Sequence, residues 1–152
     1  MTPMRHLLWA GLVLLTSCSK EELPPDIEVT RTRIREVIES YHTAGDRGDI
    51  DTMTALLAPD VSMFRGQEEF ARGKDACVSE LKDRIAMFKG QPRKTLLGQV
   101  FIDPSGDTAV ATYVAGVGNL RAPITAVFRR FQGKWLIKHL HESWPAEKPQ
   151  GK

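Results

Sequence analysis

The chain has no run of basic residues and no marked excess of either charge, and its apolar stretch Leu7–Leu15 is too short to cross a bilayer. A spanning helix needs about 20 apolar residues, so a membrane-embedded reading is set aside. The 21 basic and 19 acidic side chains nearly cancel, which excludes the electrostatic footprint of a nucleic-acid binder. Cysteine is scarce. There are two, Cys18 and Cys77, too few for a disulfide framework. Histidine is scarce as well, and three of the four fall after residue 17: His42, His139 and His141. No internal repeat is visible.

What is present at the start is a secretion signal. Arg5 supplies positive charge, Leu7–Leu15 is almost wholly apolar, and Thr16 and Ser17 are small. Leu15-Thr16-Ser17-Cys18 resembles a lipobox, in which the cysteine thiol is acylated and the chain is cut just before it. Several acyl chains anchor stably where one is marginal. Ser19 in place of aspartate resembles the sorting pattern for the outer membrane. The expectation is an outer-membrane lipoprotein facing the periplasm, held by lipid on Cys18 alone, with residues 1–17 removed and residues 18–26 as a polar, proline-containing tether. With Cys18 acylated, Cys77 has no partner within the chain. It lies on the apolar side of an expected helix and should be buried.

From Ile27 onward the pattern is that of one domain, to about residue 145, with a polar tail over 146–152. Ile27, Ile34, Val37, Ile38 and Tyr41 recur at helical spacings, with Asp26 as N-cap and Gly45 or Gly48 as terminator. Asp49 caps a second short helix that carries Ile50, Met53, Leu56 and Leu57 and is stopped by Pro59. Val61–Phe64 reads as a strand that turns at Gly66 to a partner near Glu69–Ala71. Cys77, Val78, Leu81, Ile85 and Phe88 form one face of a third helix closed by Gly90. Thr95–Asp103, Asp107–Gly116, Leu120–Phe131 and Lys134–Ser143 are rich in β-branched and aromatic residues, with turn signals between them. The order α-α-β-β-α-β-β-β-β predicts an α+β fold with helices on one face of a curved antiparallel sheet.

Four stretches carry a resemblance: GDRGDIDTMTALLAPDV after the first helix, FARGKDA before the third, GDTAVATYV in a strand, and the closing ITAVFRRFQGKWLIKHLHES. They look like the SnoaL-like branch of the nuclear transport factor 2 superfamily. The closing stretch is also similar to the association domain of calcium/calmodulin-dependent protein kinase II. The resemblance implies a cone-shaped sheet wrapped round the first helices, a pocket in the cone, and a homodimer formed through the outer face of the sheet. Function is not implied by fold, because the superfamily holds isomerases, dehydratases, hydrolases and non-catalytic assembly domains.

Strand alternation puts Trp135, Ile137, His139, His141 and Ser143 on one face of the last strand, and Leu136, Lys138, Leu140 and Glu142 on the other. The resemblance turns the second set inward, where a Glu142–Lys138 pair would be the best candidate for perturbed chemistry. It sets Tyr41 where ketosteroid isomerase keeps an oxyanion-hole tyrosine. Arg65, and Thr125 or a neighbour, stand where that enzyme has its acids, which disfavours the steroid-isomerase reaction, since arginine is no general base. Ala126 and Glu142 stand where the kinase domain presents arginines, so an anionic ligand is not expected there. Two histidines at i and i+2 could chelate a metal, but a site needs a third ligand and His42 is not placed near them. No metal and no cofactor is expected.

The candidate pocket is Tyr41, Phe64, Arg65, Phe128, Lys138, Leu140 and Glu142; the candidate acid or base is Glu142, His139 or His141. The expected role is binding a small molecule or mediating assembly. The alternative is a cofactor-free isomerase, dehydratase or hydrolase acting on a small apolar substrate.

Overall fold

The computed structural model describes residues 26–65, 68–88 and 94–143. The signal segment, Cys18 and the rest of the tether before Asp26, the turn at Gly66, the stop at Gly90 and the tail all lie outside these residues. Helix α1 spans Ile27–Arg47. The Asp26 carboxylate accepts from the backbone N–H groups of Glu28 at 2.9 Å and Val29 at 3.1 Å, satisfying donors that a helix start leaves orphaned. Gly48, at φ 72°, closes the helix by donating its own N–H to Ala44 and Gly45, a left-handed conformation that glycine adopts without a Cβ penalty. Helix α2, Ile50–Ala55, starts under Asp49, which accepts from Thr52 N at 3.0 Å. Helix α3 is Lys74–Phe88, with Cys77 and Leu81 buried. The Cys77 thiol sits 3.8 Å from the Val61 carbonyl, so its expected burial is met.

The strands are β1 Leu57–Arg65, β2 Glu68–Arg72, β3 Lys94–Ile102, β4 Thr108–Val117, β5 Leu120–Phe131 and β6 Lys134–Glu142. They form a single open sheet in the order β2-β1-β6-β5-β4-β3. Every pairing is antiparallel except β1 with β6, which run parallel. The α+β cone is thus as the sequence implied. The seam is the part that local pattern did not give: the last strand lies beside the first.

The concave face is apolar and small on β4, with Ala109, Ala111, Tyr113 and Ala115 buried, and larger on β5, with Ala122, Ile124, Ala126 and Phe128. The alanines leave room for α1, whose stripe Thr30, Ile34, Ile38, Tyr41 and His42 is buried. Val61 and Met63 of β1 and Leu140 of β6 complete the core, all without solvent exposure.

A bulge re-aims β6. Val127 of β5 faces His139, but the next residue, Phe128, faces Ile137, so Lys138 is the extra residue. Ile137 is consequently buried although it shares parity with His139. The expected simple alternation along the strand therefore fails at Lys138. Trp135 and Ile137 do not share the face of His139 and His141, and Lys138 does not share the face of Leu140 and Glu142.

Candidate functional site

Inside the cone, four elements bring polar side chains to one place. From α1, His42 is 4% exposed, and its Nε2 lies 3.1 Å from the Tyr113 hydroxyl on β4. The two rings meet edge to face at 5.5 Å, and Tyr41 meets His42 in the same way at 5.4 Å. From β6, Glu142 is only 2% exposed. Its register partner on β1 is Arg65 and on β5 is Ile124. Alternation along the paired strands sets Arg65 on the same face as Met63 and Glu142, so opposite charges face one interior across adjacent strands.

Burying a carboxylate or an imidazole costs several kcal/mol unless each is paired or hydrogen-bonded. A core built for stability alone would carry leucine at such positions. Tyr41, Phe128 and Leu140, each 1% exposed or less, give this polar set an apolar wall. The arrangement is a buried polar set packed against the apolar side chains of the core. Its buried imidazole and phenol are also the group types that exchange protons with a bound substrate.

Not every residue expected at the site is there. Phe64 belongs to the outer face: it is in register with His141, and its ring lies 5.4 Å from that of His139 and 6.4 Å from that of His141. The bulge frees Lys138 to reach away from Glu142. Its Nζ donates to the Asp60 carbonyl at 2.9 Å and forms an ion pair with the Asp60 carboxylate. That hydrogen bond from Lys138 holds the Asp60 carboxyl below its ordinary value. The Glu142–Lys138 pair is therefore replaced by Arg65 opposite Glu142 and Asp60 on Lys138.

His139 and His141 also lie on the outer face, half-buried, with His139 Nδ1 2.9 Å from Ser62 Oγ. They cannot serve as acid or base for a substrate held beside Tyr41, because the sheet stands between. Among the described residues no group of three or more His, Cys, Asp or Glu could hold a metal.

His42 and Tyr113 were missed as site residues. The signal was in the spacing: Thr30, Ile34, Ile38 and His42 recur every fourth position, which places His42 on the buried stripe and not at its edge. Tyr113 alternates with Ala109, Ala111 and Ala115, a large polar-tipped ring on a face otherwise made of small residues.

A concavity lies between the first half of α1 and the β5–β6 hairpin, on the side of the sheet that Trp135 shares with Ile137. It is a groove of about 660 Å³ lined by Val29, Arg33, Val37, Arg130, Lys134 and Trp135, with Asp26 and Glu36 at its side.

Comparison with known proteins places the architecture. A family model described as a SnoaL-like domain matches residues 34–147. Among solved structures, the chain is similar to an NTF2-like protein of unknown function from Pseudomonas putida KT2440, at 25% identity and a TM-score of 0.65. That alignment covers 82% of this chain and 93% of the other. It is similar in fold to an NTF2-like protein from Shewanella baltica OS155, at 18% identity and a TM-score of 0.67, over 81% and 99% of the two chains. A cystatin-like protein from Nostoc punctiforme PCC 73102 aligns at 18% identity and a TM-score of 0.63, over 78% and 93%. No match was found among curated proteins.

Proposed function

Since the chain belongs to the SnoaL-like domain family, we propose that it is a lipid-anchored domain that binds a small molecule inside its cone. The observation that carries this reading is the burial of Glu142, 2% exposed, on the same concave face as the His42–Tyr113 pair. Ionisable groups are retained in such a place at a cost in stability, and recognition of a ligand is the return on it. The ligand has an apolar body, to match Tyr41, Phe128 and Leu140, and a polar head that meets Glu142, Arg65, His42 or Tyr113.

The anchor is Cys18, acylated after removal of residues 1–17, which sets the domain on the periplasmic side of the outer membrane. The working unit is a homodimer joined through the outer face of the sheet. Supporting this, the outward row Phe101, Val110, Val127, His139 and Ser62 crosses five strands in register without an acidic residue, lysine or arginine. Its apolar members include Phe101, 58% exposed in the single chain. A patch depleted of formal charge at its centre is the composition of an interface core.

One observation favours a second reading, a cofactor-free isomerase, dehydratase or hydrolase. A buried imidazole next to a phenol can take a proton from a substrate while the phenol donates to the oxygen on which charge develops. In that reading His42 is the base, and Tyr113 or Tyr41 the donor.

Native mass spectrometry of the chain from residue 18, with Cys18→Ser, tests binding and dimer together. The expected result is a dimer that carries a non-covalent small molecule in the wild-type background and loses it in Glu142→Gln. Incorporation of labelled palmitate into the full chain, lost in Cys18→Ser, tests the anchor separately.

A further inference from the structure

We infer that the β5–β6 hairpin and the first turn of α1 form a membrane-contact surface that recognises anionic lipid headgroups. Its orientation rests on the proposed acylation of Cys18. The surface itself rests on different observations.

The hairpin reads Arg129-Arg130-Phe131-Gln132-Gly133-Lys134-Trp135. Gln132 and Gly133 both have positive φ, 48° and 79°, the conformation of a tight two-residue turn that projects its flanks as a narrow tip. On those flanks Phe131 is 50% exposed, and Arg129, Arg130 and Lys134 are exposed. Trp135, half-buried, lines the groove just below. Across the groove the first turn of α1 presents Ile27 at 52% and Val29 at 55% exposure. Exposed large apolar residues interleaved with cations are the composition that seats in a headgroup layer, with apolar groups entering the acyl boundary and cations on phosphates.

Charge and chain path point to the same occupant. Between Thr108 and His141 the sequence has no aspartate or glutamate; Arg129, Arg130 and Lys134 lie at the hairpin end, Lys138 is paired with Asp60, and Arg121, opposite Gly116, lies at the other end. Carboxylates approach this end too: Asp107, whose carbonyl accepts from Arg130 N at 2.7 Å, lies at the base of the hairpin, Glu28 pairs with Arg31, and three others are engaged. Asp26 caps α1, Glu36 pairs with Arg33 at 2.8 Å, and Asp60 pairs with Lys138. Asp26 also lines the groove beside the hairpin, so the chain arriving from Cys18 enters the domain at this end. Asp26 is the eighth residue after Cys18, a reach of roughly 26 Å at about 3.3 Å per residue. An acylated Cys18 therefore holds this end, and not the opposite one, within contact distance of the bilayer. The hairpin then fixes the domain's tilt, and with it the direction in which the cone opens.

The test is co-sedimentation of the chain from residue 18, Cys18→Ser and thus without lipid, with vesicles. One set is pure phosphatidylcholine and the other includes phosphatidylglycerol. The result expected is sedimentation with the anionic vesicles only, weakened by salt. Arg130→Glu and Lys134→Glu should each lower the partition coefficient by about fivefold or more, and Phe131→Ser should lower it as well. These side chains are exposed, so the fold is not at stake. Lys94→Glu makes the same charge change at the other end of the sheet, where Lys94 faces Gly116, and should leave partitioning unaltered. No binding to anionic vesicles, equal binding to both sets, or an equal loss in Lys94→Glu would each overturn the inference. Loss of palmitate labelling bears on the anchor alone, so the two readings fail independently.

Discussion

His42 on α1 and Tyr113 on β4 are joined at 3.1 Å between Nε2 and the phenolic oxygen, in a region closed to solvent. The contact spans 71 residues of sequence and ties the first helix to the concave face of the sheet. Tyr113→Phe keeps the ring and removes one hydrogen bond, so unfolding free energy should fall by about 1 to 2 kcal/mol. Urea denaturation would show the midpoint drop with the slope unchanged.

Leu140 touches no solvent and packs beside the polar set. Leu140→Ala removes buried volume where neighbours on α1, β1 and β5 cannot fully collapse, and should cost about 2 to 5 kcal/mol. Thermal denaturation of the variant is the check.

Lys138 gives a pH signature. Its hydrogen bond depresses the carboxyl of Asp60 relative to the ordinary 3.8. A carboxyl depressed on folding contributes stability above its unfolded value, and that contribution is lost as pH falls through the folded one. Asp60→Asn should therefore melt below wild type at neutral pH. The gap should close as pH is lowered below the ordinary 3.8; a gap that stays constant would contradict the assignment.

Val127 sits on the outer face, in register with Val110 and His139. Val127→Asp places a charge at the centre of the proposed dimer face, where an unpaired buried carboxylate is costly. Sedimentation equilibrium should show the variant as a monomer at concentrations where wild type is a dimer.

The elements were legible where local chemistry decides them. Asp26, Gly48 and Asp49 mark helix ends through short-range hydrogen bonds, and β3 to β6 are joined by turns whose residues announce them. The β1–β6 pairing was not legible, because residues such as Met63 and Leu140 are far apart in sequence and no local pattern records which distant strand fills the seam. The bulge at Lys138 was not legible either, since one added residue leaves composition and alternation looking regular while it moves every preceding side chain to the other face. This single feature sent Lys138 to Asp60. His42 was hidden for another reason: a polar residue at the end of an apolar stripe reads as an edge, although its spacing from Ile34 and Ile38 is that of the stripe itself.

The central claim is that the cone interior binds a small molecule through its buried polar set. A ligand that binds only the folded state raises the melting temperature in proportion to the logarithm of its concentration once it is in excess. The most direct measurement is a thermal-shift series with small amphiphilic compounds on the chain from residue 18, Cys18→Ser, and on the same chain with Glu142→Gln. The account predicts concentration-dependent stabilisation by one or more compounds that is reduced at least about tenfold in apparent affinity by Glu142→Gln. No stabilisation by any compound, or equal stabilisation of both proteins, would contradict it.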